Sequence, residues 1–428
     1  MRFPFRKSFL VALFVSALLA AAPGVRGQDP QPAAAGAPPA FVRVFLDGMG
    51  GDYVRTEIPF VTYVRDRTDA DVHIITTTLY SGAGSEYRIE MIGLGLFEDL
   101  HYNLKYFCDR LATEDERREG YVRILKKGLM PFISRSGVED QVKISYTAAP
   151  AKPAAPVSDP WDSWIFGLNL SGSVSGESSY GSQRYRGGFS ISRTTEDLKI
   201  SISASRSVSD SRYTIEGEDY DTSTRNWSFG GSVIRSLGGH WSAGLVTAAS
   251  SSTYGNVDMS VSVSPALEYN VFPYSESTRK ELTFLYRLTY GYVRYLEQTI
   301  FDKTAEGLWS QSLAVSLDVT QPWGSANASI IGSHYFHDWS KNRLSFYGYF
   351  SVRIWKGFSL NADGGFALIH DQLSLVKGEL TTDEILLRLK QLSTTYEYYV
   401  SLGVSYSFGS KMSRAVNPRM SGAGSFYY

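Results

Sequence analysis

From residue 161 onward, apolar and polar positions alternate with a period of two. Near the C-terminal end, Tyr398, Val400, Leu402, Val404, Tyr406 and Phe408 share one face, opposite Tyr399, Ser401, Gly403, Ser405 and Ser407. Trp164, Phe166, Leu168 and Leu170 likewise oppose Gly167, Asn169 and Ser171, and Leu313, Val315, Leu317 and Val319 oppose Ser312, Ala314, Ser316 and Asp318. A strand with one apolar face and one face of Ser and Gly suits lipid on one side and water on the other. Candidate strands begin near residues 164, 184, 198, 225, 241, 258, 281, 310, 325, 343, 358 and 396. The count is about twelve, and even, as single-chain bacterial barrels require. Short turns such as Glu196-Asp197, Pro322-Trp323-Gly324 and Lys356-Gly357 occur at alternate connections. Longer loops are expected at 208–224, 293–308 and 370–395. Short turns belong on the periplasmic side and long loops outside, so both ends of the barrel fall in the periplasm.

The first 160 residues read differently. Arg2, Arg6 and Lys7 precede an uncharged apolar stretch over 8–22, and small residues follow, so 1–27 is expected to be an export signal. Pro/Ala-rich linkers occupy 28–40 and 148–160 and isolate a domain over 41–147. In that domain, 41–46 reads as a strand, Asp47 to Gly51 as a plain turn, and Asp52 as the cap of a helix reaching about Arg65. Alternating strands are expected over 70–79 and 86–94, another over 100–107, and a last one over 142–146. Thr113 with Glu116 is the capping box of a helix reaching about Ser134. The alternating charges from Arg65 to Asp71 read as a solvated loop, and His73 and His101 as structural. The order of elements resembles that of small periplasmic domains of the TolB N-terminal and curli-secretion type.

Composition agrees with the barrel. Hydrophobic residues are 43% and aromatic residues 14% of the 428, the latter well above ordinary usage. A balance of 42 basic and 43 acidic residues argues against a nucleic-acid partner. The single cysteine, Cys108, excludes an intrachain disulfide and a cysteine zinc site and reads as a buried small hydrophobe. No metal or cofactor is expected. Trp164, Trp241, Trp323 and Trp355 fall at the expected periplasmic strand ends, and Trp227, Trp309 and Trp339 at the outer ends. Such girdles mark the two membrane interfaces.

Alternation turns Lys199, Glu268, Arg287, Asp318, Arg353 and Asp363 to the polar, lumenal face. They either line a water-filled pore or pair across a narrow interior and hold it closed. Residues 382–392, within the longest loop, carry Ile385, Leu389 and Leu392 on one helical face. A hydrolase is the rival reading, because His334, His337 and Asp338 lie near an outer strand end, but no adjacent nucleophile pattern accompanies them.

Residues 401–408 resemble the terminal-strand signal read by the outer-membrane barrel assembly machinery, with Ser401, Gly403, Tyr406 and Phe408 at its defining positions; here the chain continues past Phe408. Through YVRDRTDADVHII (63–75), IHDQLSLVKG (369–378) and AVNPRM (415–420), the chain also resembles a group of Gram-negative outer-membrane proteins that pair a small periplasmic domain with a barrel. That resemblance brings no assigned activity. The fold expected is mainly β: an antiparallel transmembrane β-barrel of about twelve strands over 161–409, preceded by a small α+β periplasmic domain, with a periplasmic tail over 410–428. The expected role is a channel for small solutes in the outer membrane. The alternative is a membrane-anchored adaptor whose residues 41–147 bind a periplasmic protein.

Overall fold

The structure, a computed structural model, describes residues 41–49, 51–81, 84–137, 160–215, 217–378 and 390–409. The export signal, the first linker, nearly all of the second, the strand expected over 142–146, most of the helix expected over 382–392 and the C-terminal tail lie outside the described residues.

The small N-terminal part is α+β. Its sheet has the order β2-β1-β3-β4-β5, from β1 (Arg43–Asp47), β2 (Thr62–Tyr63), β3 (Val72–Tyr80), β4 (Gly84–Gly93) and β5 (His101–Asp109). β1 runs parallel to both β2 and β3, while β3, β4 and β5 pair antiparallel. One helix, α1 (Asp52–Glu57), follows β1, and a second, α2 (Glu114–Ile133), follows β5. The capping box at Thr113 and Glu116 starts α2 with both reciprocal bonds made. Tyr121, Leu125, Leu129 and Phe132 of α2 are fully buried in one cluster with Ile74, Ile89 and Met91 of the sheet. Two glycines set this spacing. A Cβ at Gly128 would lie 2.4 Å from Leu104 Cδ1, and one at Gly120 would lie 2.1 Å from Tyr106 Oη.

The region after β1 differs from the expectation in two ways. Gly51, not Asp52, is the N-cap of α1, and the helix stops at Glu57 instead of running to Arg65. Pro59 explains the stop, since it disfavours helical backbone at Ile58 and lacks an N–H. Beyond it, Thr62 and Tyr63 form the short parallel strand beside β1.

The remainder is one antiparallel sheet of twelve strands in strict sequence order, as expected. They are β6 (Trp164–Gly176), β7 (Tyr180–Thr194), β8 (Leu198–Ile215), β9 (Glu218–Ser236), β10 (Trp241–Ser252), β11 (Val257–Asn270), β12 (Lys280–Tyr295), β13 (Ala305–Gln321), β14 (Gly324–Tyr335), β15 (Asn342–Trp355), β16 (Phe358–Ile369) and β17 (Tyr396–Tyr406). The long loop expected over 208–224 is a correction. β8 and β9 extend to 18 and 19 residues and stay paired as far as Ile215 and Glu218, with Gly217 at φ 88°. Cross-strand partners stabilise the extension: Arg212 donates to Asp221 at 2.7 Å, and Thr214 to Asp219 at 2.7 Å.

The ladder does not return on itself. β6 and β17 are the two edges of the sheet, with no pairing between them among the described residues. Outward side chains show it. Leu168, Leu170, Val400 and Leu402 are 68–77% exposed, against 45–49% for Val233, Leu245 and Leu313 on interior strands. Every pair that forms joins strands linked by a connection. A β6–β17 pair would join the two strands farthest apart in sequence, where the entropy of closure is largest.

Candidate functional site

Cross-strand register assigns each side chain to a face. One row runs through Lys199, Ile234, Gly244, Ala266, Arg287, Ser312, Ser333 and Arg343. Because strand residues two apart share a face, Glu268, Asp318, Arg353 and Asp363 lie on the same side as Lys199 and Arg287. The register thus brings the six candidate lumen charges onto one face. The adjacent row is mostly apolar: it runs through Leu198, Arg235, Ala243, Leu267, Tyr286, Leu313, Gly332, Leu344, Leu368 and Tyr396, with Arg235 as its one charge.

The polar face holds further charges that the sequence reading did not single out. Glu281 stands directly opposite Asp318, and Asn327 Nδ2 donates to Asp318 at 3.0 Å. Tyr274 donates to Glu268 at 2.8 Å. Arg343 pairs with Asp371 at 3.0 Å.

Tryptophans mark both strand ends. Trp164, Trp241, Trp323 and Trp355 lie at the end that carries Arg353 and Lys356, and Trp227, Trp309 and Trp339 lie toward the other. Several pack on a neighbouring ring, as in Trp241 with Tyr269 at 4.7 Å and Trp309 with Tyr290 at 5.1 Å between centroids. Ser401, Gly403 and Tyr406 lie on the edge strand β17, and Phe408 just beyond it.

The strand end near Trp355 meets the small α+β part. Arg353 donates to both oxygens of Asp47, at 2.7 and 2.8 Å, and its guanidinium lies 5.0 Å from the Phe45 ring centre. Buried His73 stands behind, with Nε2 3.3 Å from Asp47 Oδ2. Burial pushes the Asp47 carboxyl up in pKa, but the hydrogen bonds from His73 and Arg353 outweigh it and hold it well below the ordinary carboxylate range. Lys356 pairs with Asp69 at 2.5 Å, Gly357 N donates to Asp66 at 2.6 Å, and Arg65 donates to the Phe408 carbonyl at 2.9 Å. In the β11–β12 connection, Arg279 Nη1 lies 3.0 Å from Glu90, and Arg88 donates to the Ser275 carbonyl and the Thr278 hydroxyl at 3.3 Å.

These contacts correct two sequence expectations. The turn beginning at Asp47 is not merely a turn, and the charges from Arg65 to Asp69 are not a free solvated loop. Their partners lie about 300 residues away in sequence, for example 306 for Asp47 and Arg353. No local pattern distinguishes a docked charge from a hydrated one, so periodicity could not find them. The cavity left between the parts measures about 590 Å³, and its walls include Asp47, Thr76, Thr78, Glu281, Asp318 and Arg353.

A strap is built at the opposite strand ends. Val376 pairs with Thr299, Ile300 N donates to the Leu375 carbonyl at 2.9 Å, and Asn256 Nδ2 donates to the Glu297 and Ser374 carbonyls at 3.0 and 2.9 Å. Leu373 and Leu375 of the strap are themselves buried. Near the same end, His334 stacks on Trp339 at 4.1 Å and lies 2.7 Å from the Gln311 amide nitrogen. Asp338 accepts from the backbone and hydroxyl of Ser340, closing a turn. Of the residues named for the hydrolase reading, His334 and His337 thus lie against aromatic rings and Asp338 closes a turn.

No family model and no curated protein matches the chain. Among solved structures, the NanC porin aligns at 10% identity over 57% of this chain and 99% of its own, with a TM-score of 0.27. The translocator domain of the autotransporter NalP from Neisseria meningitidis aligns at 13% identity over 66% and 96%, with a TM-score of 0.24. CdiB from Acinetobacter baumannii aligns at 10% identity over 86% and 74%, with a TM-score of 0.29.

Proposed function

We propose that the chain is an outer-membrane β-barrel protein that forms a pore for small solutes, with its small α+β part on the periplasmic side. The observation that carries this reading is the division of twelve strands into a polar face with six candidate lumen charges and an apolar face with tryptophans near both ends. Lipid accepts the apolar face, and water accepts the other. The cavity beneath the small part continues that polar face, and hydroxyl groups such as Thr76, Thr320 and Ser325 line it. In this reading β17, with Ser401, Gly403, Tyr406 and Phe408, is the strand offered to the barrel assembly machinery, and the C-terminal tail lies in the periplasm. No catalytic group, metal or cofactor enters the role.

Single-channel recording of the refolded full-length chain in a planar bilayer tests the pore. Discrete openings are expected, and neutralising Arg287 and Lys199 together should shift their ion selectivity toward cations. Silence from a protein with intact strand content would remove the pore. It would favour the second reading, an anchored scaffold, which the strap over 370–377 and the ion-paired small part also support.

A further inference from the structure

We propose that the small α+β part is a one-sided flap over its end of the sheet, latched by ion pairs and released when they are screened. The proposal rests on the pore reading and names how that pore is regulated. Three observations carry it.

The first is position. The hydrogen bonds and ion pairs that join the flap to the sheet fall into two groups. One group lies on β15, the turn at Lys356-Gly357 and Phe408 just beyond β17, and the other on the connection before β12. Among the described residues, none falls on β7 to β10. The flap is therefore held along the part of the rim from the β11–β12 connection to the end of β17, and these bonds leave the part at β7 to β10 unengaged.

The second is sign. In all three ion pairs the flap supplies the acid, Asp47, Asp69 or Glu90, and the sheet supplies the base, Arg353, Lys356 or Arg279. Complementary charge of this kind favours one seated orientation and weakens with salt.

The third is what is missing from the joint. The buried apolar cluster of the flap is made entirely of its own residues, from Val42 to Ile133. With no apolar cluster shared between the two parts among the described residues, separation uncovers little apolar surface beyond the Phe45 ring beneath Arg353, and relative motion is the ordinary expectation for a small polar joint.

The test uses the full chain with Thr77→Cys and Thr278→Cys, which stand on the walls of one cavity at the joint. A short reducible bis-thiol reagent locks the flap, and reductant frees it. Two readouts are taken. One is the reactivity of Thr77→Cys alone toward a bulky thiol reagent, at 50 mM and at 1 M salt. The other is bilayer conductance of the locked and freed forms. Screening should raise the reactivity roughly tenfold, since exposed ion pairs contribute modestly one by one but act together here. Asp47→Asn, Asp69→Asn and Glu90→Gln combined should raise it as much at low salt. Swapping one pair, Asp69→Lys with Lys356→Asp, should restore slow reaction and so separate latch loss from misfolding. Openings should vanish in the locked form and return with reductant.

Reactivity unmoved by salt and by the triple variant would overturn the latch, as would discrete openings of equal conductance in the locked and freed forms. Rising reactivity with silence in every form would sink the pore reading while the latch stood.

Discussion

At the residue scale, the joint between Asp47 and Arg353 concentrates the most chemistry. A planar guanidinium meets both carboxylate oxygens, a ring lies under the guanidinium, and an imidazole backs the acid. Asp47→Asn leaves Arg353 facing a neutral amide and should weaken docking by about 1–2 kcal/mol, a charged hydrogen bond discounted for partial exposure. Hydrogen exchange of the β1 and β3 amides would report it, and unchanged protection would contradict it. Arg353→Lys keeps the charge but loses the two-pronged contact, and should recover only part of the loss. Acid acts in the same direction. The docked pKa values of Asp47 and Asp66 lie below the ordinary value, so their contribution is complete above that value. It is lost as pH falls through the lowered pKa, and docking should weaken progressively below about pH 4.

At the scale of elements, the alternation in 161–409 was enough to place most strands within a few residues, because a half-wet, half-apolar strand writes its face into every second position. It located β6 at Trp164, β8 at Leu198, β16 at Phe358 and β17 at Tyr396. The polar hairpin at the tips of β8 and β9 escaped it, since residues such as Ser209, Asp210, Thr222 and Ser223 carry no apolar face to alternate with. The two-residue strand at Thr62 was hidden for another reason: its parallel pairing with β1 depends on tertiary contact and not on local pattern. Of the site, the charges on the polar face were legible, whereas their partners in the small part were not. In α2, by contrast, the capping box was read correctly, and Thr113→Ala should cost about 1 kcal/mol. Gly128→Val should cost more, about 1–3 kcal/mol, because the new side chain meets Leu104 and Met91. Calorimetry of the full chain should show both as an earlier transition of the small part, with the transition of the twelve-stranded sheet unmoved.

At the scale of the whole molecule, the two free edges decide how the protein would meet a bilayer under the proposed function. Unpaired backbone groups of β6 and β17 are tolerable in water and costly in hydrocarbon, where each costs several kcal/mol. The expected outcome is that these edges pair with each other in lipid. Amide exchange over 166–174 and 398–404 should be slow in lipid nanodiscs and fast in a denaturing detergent mixture. Fast exchange in both would mean a permanent side opening. The placement of the ionic joint has a consequence in time. Asp47, Asp66 and Asp69 leave the ribosome early, while Arg353, Lys356 and Phe408 emerge near the end. Half of the joint on the part made first is supplied by strands made last, whereas the half at Glu90 and Arg279 is available earlier, so full seating records that the C-terminal strands are in place.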